Sequence, residues 1–298
     1  MFKLRAFLLG FWLTVILSLI GVAAFAKDII NGAGASFPYP LYAKWATVYE
    51  QQTGIKLNYQ SIGSGGGIKQ IKAGTVDFGA SDAPMKQSEL DEHGLVQFPA
   101  IIGTVVTPIN LPGVDVSQMY LDIETISDIY LGKIKKWNDE RIQQLNPDLK
   151  LPKTNIAVIH RSDGSGTTFL FASNLSQSWQ DEVGVGKALK WPVGVGGKGN
   201  EGVAQYVSKI KGAIGYVENA YAMKNGLPVP KTDKKIMGKS YIIMYKEPKD
   251  RVKSQKVLDF YTWSLYNGSM YAEELYYHPL TGDDLTESVN IMKEINVE

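Results

Sequence analysis

Cysteine is missing from all 298 positions of this chain. That excludes disulfides, thiolate metal sites, a cysteine nucleophile and a lipid anchor built on an N-terminal cysteine. Histidine is scarce: His93, His160 and His278 lie far apart, with no His-Glu-x-x-His run and no clustered carboxylates. No metal site and no cofactor are expected from such a set. Neither sign of charge is in excess, with 31 Lys and Arg against 30 Asp and Glu and a formal net charge of +1. A near-neutral chain without a basic run lacks the footprint of a nucleic-acid binder, so no nucleic-acid partner is expected. Apart from one segment at the N-terminus, no apolar run approaches membrane-spanning length.

That segment reads as a signal peptide over residues 1–26. Lys3 and Arg5 form a basic start, Phe7 to Ala23 an apolar stretch, and Ala24-Phe25-Ala26 a small-residue cleavage signal. An uncleaved anchor is the alternative, and the small residues at the cleavage position favour cleavage near Ala26. The leader holds two of the 31 basic residues and none of the 30 acidic ones, which leaves the remainder at −1. An exported, soluble protein is expected, with a bacterial periplasm as its simplest destination. About 270 residues can bury enough surface to be stable without disulfides.

What the chain does have is a recurring unit of strand, glycine-rich turn and helix. Asp28-Ile29-Ile30 reads as a strand ending in the small-residue loop Asn31 to Pro38, and Pro40 opens a helix with Leu41, Trp45, Val48 and Tyr49 on one face. Lys56 to Gln60, the turn Gly63-Ser64-Gly65-Gly66-Gly67 and the helix Ile68 to Lys72 repeat the unit. Val76 to Ser81 is a third strand, meeting Asp82-Ala83-Pro84. Later, Ile156 to Ile159 runs into Arg161, Asn200 is read as the cap of a helix over 201–210, and Ser254 as the cap of a helix over Gln255 to Tyr266. Residues 227–238, rich in Pro and Lys, read as a connector before a strand over Tyr241 to Tyr245. Alternation of this kind predicts an α/β fold with mostly parallel sheets. The aromatic residues, spread through these elements, read as core.

The stretch Arg161-Ser162-Asp163-Gly164-Ser165-Gly166-Thr167-Thr168 gathers a guanidinium, several hydroxyls and the free N–H groups of a helix start. Such a set suits a small anion. Turns around Ser36 and Ser64 have the same character, and Asp82 and Arg161 hold equivalent positions after their strands. Enzymatic motifs fail on spacing. Gly238-Lys239-Ser240 has Asp, not Gly, at 233, so no phosphate-binding loop of the NTPase kind is formed. Ser165 has Asp163 where a nucleophile elbow needs Gly.

Taken in order, these runs resemble the periplasmic phosphate-binding proteins of bacterial ABC-type phosphate transporters. The resemblance rests on residues 32–38, Tyr42 to Trp45, 63–67, Val76 to Pro84, Asp128 to Trp137, Arg161 to Thr167, Gly196 to Asn200 and Gly212 to Glu218, and so covers nearly the whole chain after the leader. It implies a two-lobed periplasmic-binding-protein fold of type II. Each lobe would be a mixed, mostly parallel sheet flanked by helices, with the ligand in the interlobe cleft. One lobe would comprise 27–106 and 239–298, the other 107–238.

By motif, the resemblance assigns Ala35, Ser36 and Phe37 to a phosphate loop acting through hydroxyl and backbone N–H. Ser64 adds a hydroxyl at a helix start, and Asp82 accepts the proton of the phosphate. Arg161 is the charged donor, held by Asp163, and Ser165, Gly166 and Thr167 close the other side. Inorganic phosphate and the permease subunits of an ABC importer are the implied partners, and the protein is expected to be a monomer without enzymatic activity. Sulfate or molybdate binding and, more remotely, a secreted phosphatase using Ser165 are the alternatives. Ser36 stands where many relatives carry Thr, which keeps the hydroxyl. The segment between Glu218 and Tyr241 is shorter than in long-form members, which leaves the edge of the second lobe open.

Overall fold

Three parallel strands begin the described part of the chain, each followed by a turn and a helix. The structure is a computed structural model describing residues 29–298, so the expected leader lies outside the described residues. Strand β1 is Ile29–Gly34, β2 is Lys56–Ser61 and β3 is Phe78–Ser81. They join β4 (Leu95–Val106), β9 (Val217–Glu218) and β10 (Ile236–Tyr245) in a six-stranded sheet of order β2-β1-β3-β10-β4-β9. A second sheet of order β5-β8-β6-β7 contains β5 (Ile109–Asn110), β6 (Ala157–Arg161), β7 (Val195–Gly197) and β8 (Ala213–Ile214). Each sheet with its helices forms one lobe.

The sheets are mixed, with a smaller parallel share than expected. β1 pairs parallel with β2 and β3, and β6 parallel with β7 and β8, but β10 runs antiparallel to both β3 and β4. The long β4–β10 ladder also corrects the connector reading, since residues 236–238 are already paired, Ile236 with Val105 and Gly238 with Gly103. Glu218 likewise pairs with Val105 in the first sheet. Both segments fall within the 107–238 range expected of the second lobe. Which sheet each segment joins is set by its partner strand, and the local sequence does not name that partner.

Helix boundaries follow local chemistry. The helix Tyr39–Thr53 has Pro in its first turn, buries Leu41, Tyr42, Trp45 and Tyr49 on one face, and stops at Gly54 in the left-handed conformation. Its aromatic face meets the helix Arg251–Asn267: Tyr42 and Tyr49 make edge-on contacts with Tyr261 and Phe260. That second helix is capped by Asp250, whose side chain accepts from Lys253 N, and not by Ser254, which is buried inside it. The helix Glu140–Leu145 is capped by Asp139, whose side chain accepts from Arg141 N. In the second lobe Tyr130, Phe171, Trp191 and Tyr216 pack ring against ring beneath β6. Among the described residues, no helix is long and apolar enough to cross a membrane.

Candidate functional site

The carboxyl ends of β1, β2 and β3 form one lip of a cleft, and the carboxyl ends of β6 and β7 form the other. Crevices at such strand ends are where open α/β sheets hold ligands. The first lip carries Ala35 to Phe37 after β1, Ser64 at the start of the helix Ser64–Lys72, and Asp82 after β3. The second carries Arg161 at the end of β6, Ser165 as cap of the helix Gly166–Ala172, and the start of the helix Gly199–Lys209. Ser36, Ser64, Asp82, Arg161, Ser165 and Thr167 are all buried, and the lips touch. Gly65 N donates to Gly164 O across them at 2.9 Å.

The closeness depends on residues without side chains. A Cβ on Gly166 would lie 2.6 Å from both Asp82 Oδ2 and Ser64 Oγ. A Cβ on Gly67 would lie 2.5 Å from Gly34 Cα, so this glycine lets the helix start settle onto the end of β1.

On the second lip the charge is fixed by an ion pair. Arg161 Nε donates to Asp163 Oδ1 at 2.8 Å and Nη2 to Oδ2 at 2.6 Å, a two-pronged pairing of the kind that holds a guanidinium plane. Asp163 Oδ1 also accepts from Gly199 N at 3.0 Å. Burial works against the Arg161 charge, but Asp163 outweighs it and leaves the guanidinium pKa above its ordinary value. Burial also acts on Asp163, where the Arg161 bonds prevail and hold the carboxyl below its ordinary range. Ser165 Oγ accepts from Thr168 N at 2.9 Å.

On the first lip the charge is opposed. Asp82 lies in the closed cleft with Oδ1 accepting from Ser240 Oγ at 2.8 Å. Burial pushes its pKa from 3.8 up to about 7, with Ser240, Arg161 and Ser64 pulling the other way. Ser64 Oγ accepts from Gly166 N at 3.0 Å and from Asp82 N at 3.2 Å. Ser36 Oγ accepts from Asn200 N at 3.0 Å and Asn200 Nδ2 at 2.9 Å.

All ten expected residues stand at the two lips, but they are not alike. The N–H groups of Ser36 and Phe37 meet no acceptor among the described residues. Ala35 differs from expectation: its N–H goes to Ala80 O at 3.0 Å and its carbonyl accepts from Tyr59 OH at 2.7 Å. Its backbone groups are committed to the sheet, so Ala35 shapes the wall and donates nothing into the cleft. Gly166 N–H is likewise engaged, by Ser64. Sequence reasoning missed Ser240, which reaches Asp82 only because β10 pairs beside β3. It also missed Tyr216, whose OH accepts from Arg161 N at 3.1 Å, and it read Asn200 as a helix cap. Asn200 instead sits within the first turn of its helix, buried, and reaches across the cleft.

His160 gives Ser165 no base. It faces Arg161 O with Nδ1 and stacks on Trp191 at 4.8 Å. Among the described residues, no group of His, Asp and Glu could hold a metal ion.

A family model described as a PBP superfamily domain matches residues 21–267. The phosphate-binding protein PstS of Pasteurella multocida is 48% identical, over 84% of this chain and 86% of that protein. The protein of the same name from Haemophilus influenzae is 46% identical, over 89% and 92%. A solved structure of a putative phosphate ABC transporter substrate-binding protein from Clostridium perfringens, with bound phosphate, superposes with a TM-score of 0.67. It covers 85% of this chain and all of that one, at 18% identity, and speaks to the fold alone. With an acid and an arginine on facing lips of a two-lobed fold, and identity of this extent along the chain, the protein belongs to the PstS phosphate-binding protein family within the PBP superfamily.

Proposed function

We propose that this protein captures inorganic phosphate in the periplasm as a monomer and delivers it to the permease of an ABC-type importer, without turning it over. The observation that carries this reading is the pairing of buried Asp82 with buried Arg161 on opposite lips. An arginine alone would serve any oxyanion. An acid beside it is unfavourable unless the ligand brings a proton to share.

Monohydrogen phosphate brings that proton. Its ionised oxygens would take Arg161, the hydroxyls of Ser36, Ser64, Ser165 and Thr167, and the N–H groups of Ser36, Phe37 and Gly166. Gly166 would exchange Ser64 Oγ for the anion. Its P–OH would donate to Asp82. Sulfate has no proton to give and would face the lone pairs of a carboxylate. A site built for a donor rejects an analogue lacking it by about 10⁴-fold.

Micromolar binding needs about −8 kcal/mol, and each charge-assisted hydrogen bond contributes about 1.5–3 kcal/mol. The donors exceed the need, and the difference is consumed in desolvating the anion and ordering the lobes. Each lip holds part of the donor set, so phosphate favours the closed form over any open one. The hinge would run through the two crossings between the sheets, at about 106–109 and 214–217, with one lobe close to 27–106 plus 239–298 and the other close to 107–238, less the segments 217–218 and 236–238 that the first sheet takes.

The test is calorimetric titration with phosphate and, separately, sulfate. Phosphate should bind at least about 10²-fold tighter; equal affinities would overturn the reading. An aryl phosphate should show no turnover, in line with a Ser165 that has no histidine beside it.

A further inference from the structure

The Asn200 side-chain amide bonds to hydroxyls on both lips. The side chain is fully buried. Nδ2 donates to Ser36 Oγ at 2.9 Å and to Thr167 Oγ1 at 3.1 Å, while its backbone N–H donates to the same Ser36 Oγ at 3.0 Å. The amide cannot be turned the other way, because Oδ1 is claimed by Glu218 N–H at 2.9 Å.

The count of lone pairs gives these contacts their meaning. A serine or threonine hydroxyl has two acceptor lone pairs and one O–H. Both lone pairs of Ser36 Oγ are filled by Asn200. Those of Thr167 Oγ1 are filled by Asn200 Nδ2 and by Arg161 Nη1 at 3.4 Å. Neither hydroxyl has an accepting role left, so each O–H can only donate. The lone pairs of Ser64 Oγ are likewise filled, by Gly166 N and Asp82 N, and its O–H already finds an acceptor in Asp82 Oδ2 at 3.4 Å.

We propose that Asn200 is a positioning residue that sets Ser36 and Thr167 as hydrogen-bond donors toward the bound anion and, through the same contacts, latches the two lips together. It acts through those hydroxyls and not by touching the ligand. This rests on the phosphate reading above and adds a specific requirement: the group at this place must be a donor on its Nδ2 side.

Asn200→Asp tests that requirement, because it keeps the shape and the acceptor for Glu218 N–H but puts an acceptor where Nδ2 was. Ser36 and Thr167 would then turn their protons toward the carboxylate and away from the anion. Asn200→Ala removes the amide without inverting it. Phosphate affinity is measured by calorimetry for wild type and both variants, with the melting temperature of each ligand-free protein. At about pH 8 the expected Kd is about 10-fold higher for Asn200→Ala and about 10²-fold higher for Asn200→Asp. Burial at this position raises an introduced carboxyl, so on lowering the pH to about 5 protonation returns a donor to the aspartic acid, and its Kd should approach that of Asn200→Ala.

A merely structural role would weaken both variants alike, with no pH-dependent convergence. That result, or wild-type affinity in either variant, overturns the inference while leaving the phosphate reading intact. Failure of the wild type itself to bind phosphate overturns both. If Asn200→Ala does not fold, the pH profile of Asn200→Asp against wild type decides alone: a constant ratio rejects the proposal, and a ratio that narrows as pH falls supports it.

Discussion

The two lips of the cleft solve opposite electrostatic problems. The second lip holds a cation whose partner comes from its own lobe: Asp163 grips Arg161 through both oxygens and is itself braced by Gly199 N–H. The first lip holds an acid that burial drives toward neutrality, with its pKa up to about 7. The wiring differs as well. The arginine is aimed whether or not the lobes meet, whereas Ser36 and Ser64 acquire their hydrogen-bond sense from Asn200 and Gly166 across the cleft. The charge of one lip is therefore set within its own lobe, while the hydroxyls of the other are oriented by contacts across the cleft; under the proposed function the former attracts the anion and the latter discriminates.

Breaking the second lip should have the largest effect. Arg161→Ala removes the charged donor and strands Asp163, so phosphate affinity should fall about 10³-fold by calorimetry. Arg161→Lys should recover only part of this, since a point charge cannot reproduce the two-pronged grip on Asp163. Retained affinity in Arg161→Ala would mean that the anion is held by the first lip alone.

Asp82→Asn should act on choice more than on strength. The amide can donate to sulfate, so the preference for phosphate over sulfate should shrink by about 10²-fold. The wild type should move the same way with pH. Below about 7 Asp82 takes its own proton and can donate to sulfate; above it the carboxylate rejects sulfate, so the preference grows as pH rises. Paired phosphate and sulfate titrations across this range measure it, and a flat ratio would separate Asp82 from specificity.

A smaller effect is expected at the closing contact. Ser36→Ala leaves the Asn200 N and Nδ2 donors without their shared acceptor, and phosphate Kd should rise about 10-fold. The same measurement on Ser36→Thr should stay within about three-fold of wild type, since the hydroxyl is kept.

The smallest effect concerns ligand-free stability. Burial raises the Glu218 carboxyl from 4.5 to about 8, and its Oε1 has no hydrogen-bond partner among the described residues. For a carboxyl with a raised folded-state pKa, the folded chain holds a proton that the unfolded chain releases. Its stabilisation is full below about pH 4.5 and lost as pH rises through about 8. Glu218→Gln should therefore flatten the fall in unfolding free energy between about pH 4.5 and 8, with a gain of about 1–2 kcal/mol at the alkaline end. Urea denaturation of the ligand-free protein at several pH values reads this directly. An unchanged slope would assign the pH dependence to Asp82, whose contribution levels off near pH 7.

Much of this site was legible because its parts are local. A strand followed by Gly-Ser-Gly-Thr gives a helix start, and Arg161 and Asp163 are two residues apart, so their pairing needs no distant partner. Asp82 was placed in the cleft through a motif resemblance, and its neighbours confirm the burial though not the ligand. Ser240 and Asn200 were not legible. Ser240 looks like any strand serine until β10 lies beside β3, and Asn200 carries the pattern of a helix cap that its backbone position does not use.

By itself the sequence determined the repeated strand-turn-helix units, the glycines that allow close approach and the donor-rich stretch from Arg161 to Thr168, because these follow from backbone sterics and short-range bonding. Only the tertiary structure decided which groups still have a bond to give. Ala35 looked like a donor and its N–H is spent on Ala80, while the Ser36 hydroxyl has both lone pairs filled by Asn200 and keeps its proton to give. That difference depends on partners 45 and 164 residues away in the chain, which no local pattern encodes.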